Sequence, residues 1–161
     1  MNEKIKITHK RSLSRLMAVQ IFYQRDFFNN EKSLGEIKED VIENYLLDFE
    51  EETSSYRAKI DEEFLNSLIS GMSLNCEKID EEISQFLKDG WSIEKLDSVM
   101  LQVIRFAAFE LKFIENIPAK VVLDEYVDLS ASFFDEKKVT FVNAVLDGLA
   151  KKFRGGEFGG G

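Results

Sequence analysis

The residues that could do acid–base, metal or nucleophilic chemistry are few in this sequence, and their spacing works against each of those chemistries. The sole histidine, His9, has no cysteine or carboxylate at ligand spacing, so it brings no zinc donor set with it. A di-iron bundle needs Glu-x-x-His pairs, and none occurs. Glu81-Glu82, Asp124-Glu125 and Asp135-Glu136 are adjacent pairs, which a helix turns toward different faces, so they form no acid/base dyad. Cys76 falls on an apolar stripe and reads as packing, not as a catalytic thiol. Glycines stand singly until the C-terminal run, so no phosphate-cradling loop is present. These absences point away from an enzyme and toward binding.

What remains for binding is charge. The net charge of −9 argues at first against nucleic acid, but the charge is unevenly spread. Residues 1–25 set six cations against Glu3 alone, a net +5, and residues 137–154 set five against Asp147, a net +4. Residues 31–63 hold twelve carboxylates and four cations, a net −8. Basic ends around an acidic middle form either a local positive face or two ordinary solvated helix faces; charge alone leaves both open. The single cysteine excludes an internal disulfide and suits a reducing cytoplasm. The N-terminus has no apolar core of a signal peptide. Apolar runs stay far below the ~20 residues a membrane span needs, so the expectation is a cytoplasmic chain without a membrane segment.

The elements that must position these residues follow the helical period, with no strand period. A stripe from Leu65 through Leu68, Ile69, Met72, Cys76, Ile79 and Ile83 to Leu87 predicts one long helix. Earlier helices are expected near 10–27 and 34–49, with the polar stretch 50–59 as a loop. After Asp89-Gly90, Ser92 offers an N-cap for a helix near 93–115 that is apolar nearly all round and therefore central. Arg105 and Glu110 lie inside it and must be paired or reach the surface. Pro118 suits the first turn of a helix near 118–133, and Val142, Val145, Leu146, Leu149 and Phe153 mark the last helix, near 138–153. The expectation is an all-α domain over 1–154, with subdomains near 8–89 and 91–154 and a disordered glycine-rich tail at 155–161.

Three stretches then carry a resemblance. Arg15-Leu-Met-Ala-Val-Gln20-Ile-Phe-Tyr23-Gln24 resembles the first-helix pattern of the NusB family, and Arg105-Phe-Ala-Ala-Phe-Glu110-Leu111 resembles its central-helix pattern. Ile117-Pro118-Ala-Lys120-Val121-Val122-Leu-Asp124-Glu125, with Phe141-Val142-Asn143-Ala-Val145-Leu146-Asp147 downstream, is similar to its most specific part. The ordered set spans residues 10 to about 150. The resemblance implies six to seven helices in two small helical-bundle subdomains packed at a steep angle. It implies a non-catalytic role without cofactors in transcription antitermination on ribosomal RNA operons. It further implies binding of boxA-type single-stranded leader RNA together with NusE, a ribosomal small-subunit protein, and delivery to the RNA polymerase antitermination complex. Some members of the family pair as homodimers, and this sequence does not decide the point.

Single-stranded RNA is held by cations along its backbone and by rings on which bases stack, each stack worth roughly 1–3 kcal/mol. The resemblance places RNA binding on Arg11 and Arg15, four apart and so on one helix face, and on Phe86, Phe133 and Phe141, with Lys137 and Lys138 in the turn between the last two helices. Phe141 is out of phase with the stripe 142, 145, 146, 149, 153, as a ring serving something other than the core would be. Phe86 and Phe133 lie on apolar stripes, so core packing and base stacking both stay open for them. Met100, where relatives carry an acidic or polar residue, is the expected partner contact if exposed and a core methionine if not.

The departures from the family pattern are Thr140 in place of the usual lysine and a sparser arginine run at Arg11-Ser12-Leu13-Ser14-Arg15. They predict weak RNA binding by the protein alone and useful affinity beside its partner. The competing reading is a protein-only helical adaptor that has lost RNA binding.

Overall fold

The computed structural model describes residues 3–29, 31–47 and 60–158, and these are all-α. Six α-helices are described: α1 (Glu3–Phe28), α2 (Leu34–Leu47), α3 (Glu62–Ser84), α4 (Ser98–Phe113), α5 (Ala119–Phe133) and α6 (Glu136–Arg154). Short 3-10 turns occupy Ile93–Lys95 and Gly155–Phe158. Phe49 and the expected loop at 50–59 lie outside the described residues. No described helix is long and apolar enough to cross a membrane.

The chain divides into two compact units, Met1–Ser70 and Gly71–Gly161. The division falls inside the long stripe helix and not near Gly90, where the change of pattern had suggested it. Periodicity reports a helix as one object; packing assigns its turns to whichever core lies beside them.

In the first unit α1 packs on α2, and Met17, Ala18, Ile21 and Phe22 of α1, Ile37, Val41 and Ile42 of α2 and Phe64, Leu65 and Leu68 of α3 are all buried. Full burial of a side chain of this size contributes roughly 1.5–3 kcal/mol, so this apolar set is what holds the short α2 in place. Asp61 starts α3 with its carboxylate accepting from the Phe64 amide at 2.9 Å. The buried Ser14 hydroxyl in turn accepts from the Asp61 amide at 3.0 Å, which pins that start to α1.

In the second unit every residue of α4 from Met100 to Leu111 is buried, as its all-round apolar pattern demands. The helix begins at Ser98 and not near 93. Asp97 caps it, accepting from the Val99 and Met100 amides, whereas Ser92 makes no side-chain cap bond and heads only the 3-10 turn. The two charges inside the helix are both paired. Arg105 donates from Nε to Asp80 Oδ1 at 2.8 Å and from Nη2 to Oδ2 at 2.7 Å, and the Tyr126 hydroxyl donates to Glu110. Glu82 gathers the amines of Lys112 and Lys152, which links α3, α4 and α6.

The C-terminal segment is not wholly disordered, as its glycines had suggested. Gly155–Phe158 form a 3-10 turn in which Glu157 accepts from the Ala119 amide at 2.9 Å and pairs with Arg154 at 2.7 Å. The Arg154 guanidinium reaches the carbonyls of Glu110, Leu111, Ile114 and Ile117. It thereby gives the Leu111 carbonyl at the end of α4 a donor and joins the Ile114 amide on the Glu110 carbonyl. These contacts outweigh the entropic freedom of the glycines. Residues 159–161 lie outside the described set.

Candidate nucleic-acid interface

The residues assigned to RNA binding fall in both units. In the first, Arg11 and Arg15 share a face of α1 as their spacing requires, but a ring from α3 covers that face. Their guanidinium carbons lie 4.8 Å and 5.0 Å from the centroid of Phe64. Arg11 also pairs with Asp61 at 3.6 Å and stays half-buried. Arg15 is only 3% exposed, so it cannot lie along an RNA backbone as the resemblance implied. It stabilises the α1–α3 packing instead.

In the second unit, α6 is capped by Asp135, whose carboxylate accepts from the Lys138 amide at 3.0 Å. That cap fixes the first turn and leaves Lys137 and Lys138 exposed on it. One turn on, the Phe141 ring is half-buried, with its centroid 6.1 Å from that of Trp91 and the planes tilted by 40°. Trp91, Lys95, Met100, Lys137, Lys138 and Phe141 line a cavity of about 640 Å3. Three lysines and two aromatic rings therefore line one concave surface, with the Lys138 ammonium 5.6 Å from the centroid of the Phe134 ring beside it.

The other expected residues stand apart from it. Phe86 is half-buried, and its ring rests on Gly148, where an added Cβ would come within 2.6 Å of it. Phe133 is 41% exposed, so the core reading fails for it. Its nearest ring is Phe134, 6.2 Å away, and not a member of the cavity. Met100 is 5% exposed and shows the cavity only an edge, which corrects the expectation of an exposed partner contact. Its place on the α4 stripe, inside a helix buried on all sides, is the reason.

Trp91 and Lys95 were not singled out from the sequence. They lie between helices, where periodicity gives no signal. The clue available was compositional: Trp91 is the only tryptophan, and it follows a glycine at a chain reversal.

The comparisons with known proteins agree with this architecture. The NusB family model matches residues 12–151. The chain is similar to a protein named transcription antitermination protein NusB from Bradyrhizobium diazoefficiens, 33% identical over 156 residues, covering 97% of this chain and 92% of the relative. A protein of the same name from Novosphingobium aromaticivorans is 35% identical over 144 residues, covering 89% and 95%. Among solved structures, T. maritima NusB superposes with a TM-score of 0.72 at 27% identity, covering 92% of this chain and 96% of that one. A chain from a complex of antitermination factors NusB and NusE with dsRNA gives 0.70 at 26% identity, covering 88% and 96%.

Proposed function

The chain belongs to the NusB family, and from that membership we propose that it is a transcription antitermination factor that binds boxA-type single-stranded leader RNA jointly with NusE. Its work is binding and not catalysis, carried out in the cytoplasm as part of an RNA polymerase antitermination assembly. A structural neighbour of this chain comes from a complex of antitermination factors NusB and NusE with dsRNA, which supports NusE and RNA as classes of partner.

The observation that carries the reading is the cavity of the second unit, which Lys95, Lys137 and Lys138 line together with the rings of Phe141 and Trp91. Lysines beside a stacking surface match the two components of single-strand recognition, backbone neutralisation and base–ring contact. Phe133, exposed at the end of α5, is a further ring for the same RNA. Arg11, in the first unit, is a half-buried cation in its own right, paired with Asp61. The burial of Arg15 removes one expected phosphate contact, which fits weak RNA binding by the protein alone and assistance from NusE.

The test is fluorescence anisotropy of a short boxA-like RNA, with and without NusE, at two salt concentrations. Salt-sensitive binding that tightens with NusE and is weakened in the K137A/K138A variant supports the reading. Binding to NusE with no RNA response would replace it with the protein-only adaptor.

A further inference from the structure

We propose that Trp91 is a nucleobase-stacking residue of this cavity, taking a base next to the one on Phe141, with Lys95 serving the neighbouring phosphate. The proposal rests on the RNA reading of the cavity and adds to it a residue that the family resemblance did not assign.

Three observations carry it. First, Trp91 is 54% exposed, although it is the largest apolar side chain present and packing could have buried it. Second, the segment bearing it is built and not slack. Gly90 has a φ of +88°, a conformation that favours glycine, and turns the chain so that the Trp91 amide donates to the Lys88 carbonyl at 2.9 Å. Lys95 closes the turn by donating from Nζ to the Gly90 carbonyl at 2.9 Å, Leu96 is buried, and Asp97 is spent capping α4. A ring held in this way loses little freedom when a ligand covers it.

Third, the charge around the ring selects the ligand. Lys95, Lys137 and Lys138 line the cavity with Trp91, against the carboxylates of Asp97 and Asp135. Both of those carboxylates already accept from backbone amides at helix starts. The lining therefore keeps a small net positive charge, and an anionic chain bearing flat apolar groups fits it. Lys95 uses one of its three donors on Gly90, and the others can reach a phosphate oxygen.

Because Trp91 is the only tryptophan, its emission reports this one position. The experiment titrates a boxA-like RNA into the full chain bound to NusE and follows RNA anisotropy and tryptophan emission together, with the W91F complex as the reference for NusE emission. The expected result is quenching that tracks the anisotropy, about tenfold weaker binding in W91A, and about threefold or less in W91F. The dependence on salt should be unchanged in W91A, because stacking displaces no counterions, and circular dichroism checks that the variant is folded. RNA binding with unchanged emission and wild-type affinity in W91A would overturn the inference and leave the RNA reading standing. An emission change on NusE alone, with NusE affinity lost in W91A, would overturn it by making the ring a protein contact. No RNA binding under any condition would remove both.

Discussion

The Tyr126 hydroxyl donates to the Glu110 carboxylate at a place where neither side chain has any exposed surface. The pair joins α5 to the central helix α4 and gives the buried carboxylate a donor that water cannot supply.

Replacing Tyr126 by Phe keeps the ring and removes that donor. The expected loss is about 1–3 kcal/mol of stability, read as a lower urea midpoint with an unchanged slope. An unshifted midpoint would show that the remaining partners of Glu110 satisfy it without the phenol.

Gly71 is required by the Phe109 ring. A Cβ at that position would lie 2.1 Å from Cζ and 2.5 Å from Cε1 of the buried Phe109 side chain. The G71A variant gains up to about 1 kcal/mol of helix propensity and loses about 1–3 kcal/mol to overpacking, so a net decrease in Tm is expected. Shortening the ring as well, in G71A/F109L, should recover part of the loss. A G71A variant more stable than the parent would mean that the ring moves aside freely.

Glu157 sets part of the acid limb of stability. The Ala119 amide, and after it the Arg154 guanidinium, hold its carboxyl below the ordinary value of 4.5. The Lys152 amine does the same for Glu82, with Lys112 adding to it. A carboxyl with a depressed folded-state pKa stabilises the fold above its unfolded value. That contribution is lost as pH falls from about 4.5 through the folded value. The E157Q variant should therefore be less stable than the parent at pH 7, and the two curves should converge in acid. Parallel curves from pH 7 to pH 3 would contradict the linkage.

Arg15 and the Lys137–Lys138 pair should separate in their effects. R15A removes a buried cation from the Phe64 ring, so it should lower Tm while leaving RNA affinity per folded molecule nearly unchanged. K137A/K138A should leave Tm within a degree or two and flatten the salt dependence of RNA binding by about 0.7 per lysine. Salt titrations on both variants with NusE present decide this, and a large drop in RNA affinity for folded R15A would return that residue to the interface.

The helices and the central place of α4 were legible because periodicity records which faces meet a core. Phe141 was legible for the opposite reason: it breaks the stripe of α6 and stands in the cavity. The need to pair Arg105 and Glu110 could be read from their position, but the identities of Asp80 and Tyr126 could not. Arg15 was misplaced because spacing shows that it shares a face with Arg11, and says nothing of a phenylalanine that arrives much later in the chain to cover that face. Met100 was ambiguous from its type and settled by the burial of α4 on all sides. Trp91 and Lys95 belong to a turn whose form depends on one positive φ, which no pattern of hydrophobicity encodes.

Chain order gives the Arg154 contacts a temporal meaning. During synthesis, α4 and the turn after it leave the ribosome well before residue 154. Until then the carbonyls of Glu110, Leu111, Ile114 and Ile117 have no guanidinium to accept from. The central helix is thus finished by a side chain that lies well beyond it along the chain. A nascent chain that stops short of Arg154 leaves the ribosome with that helix end hydrated and open.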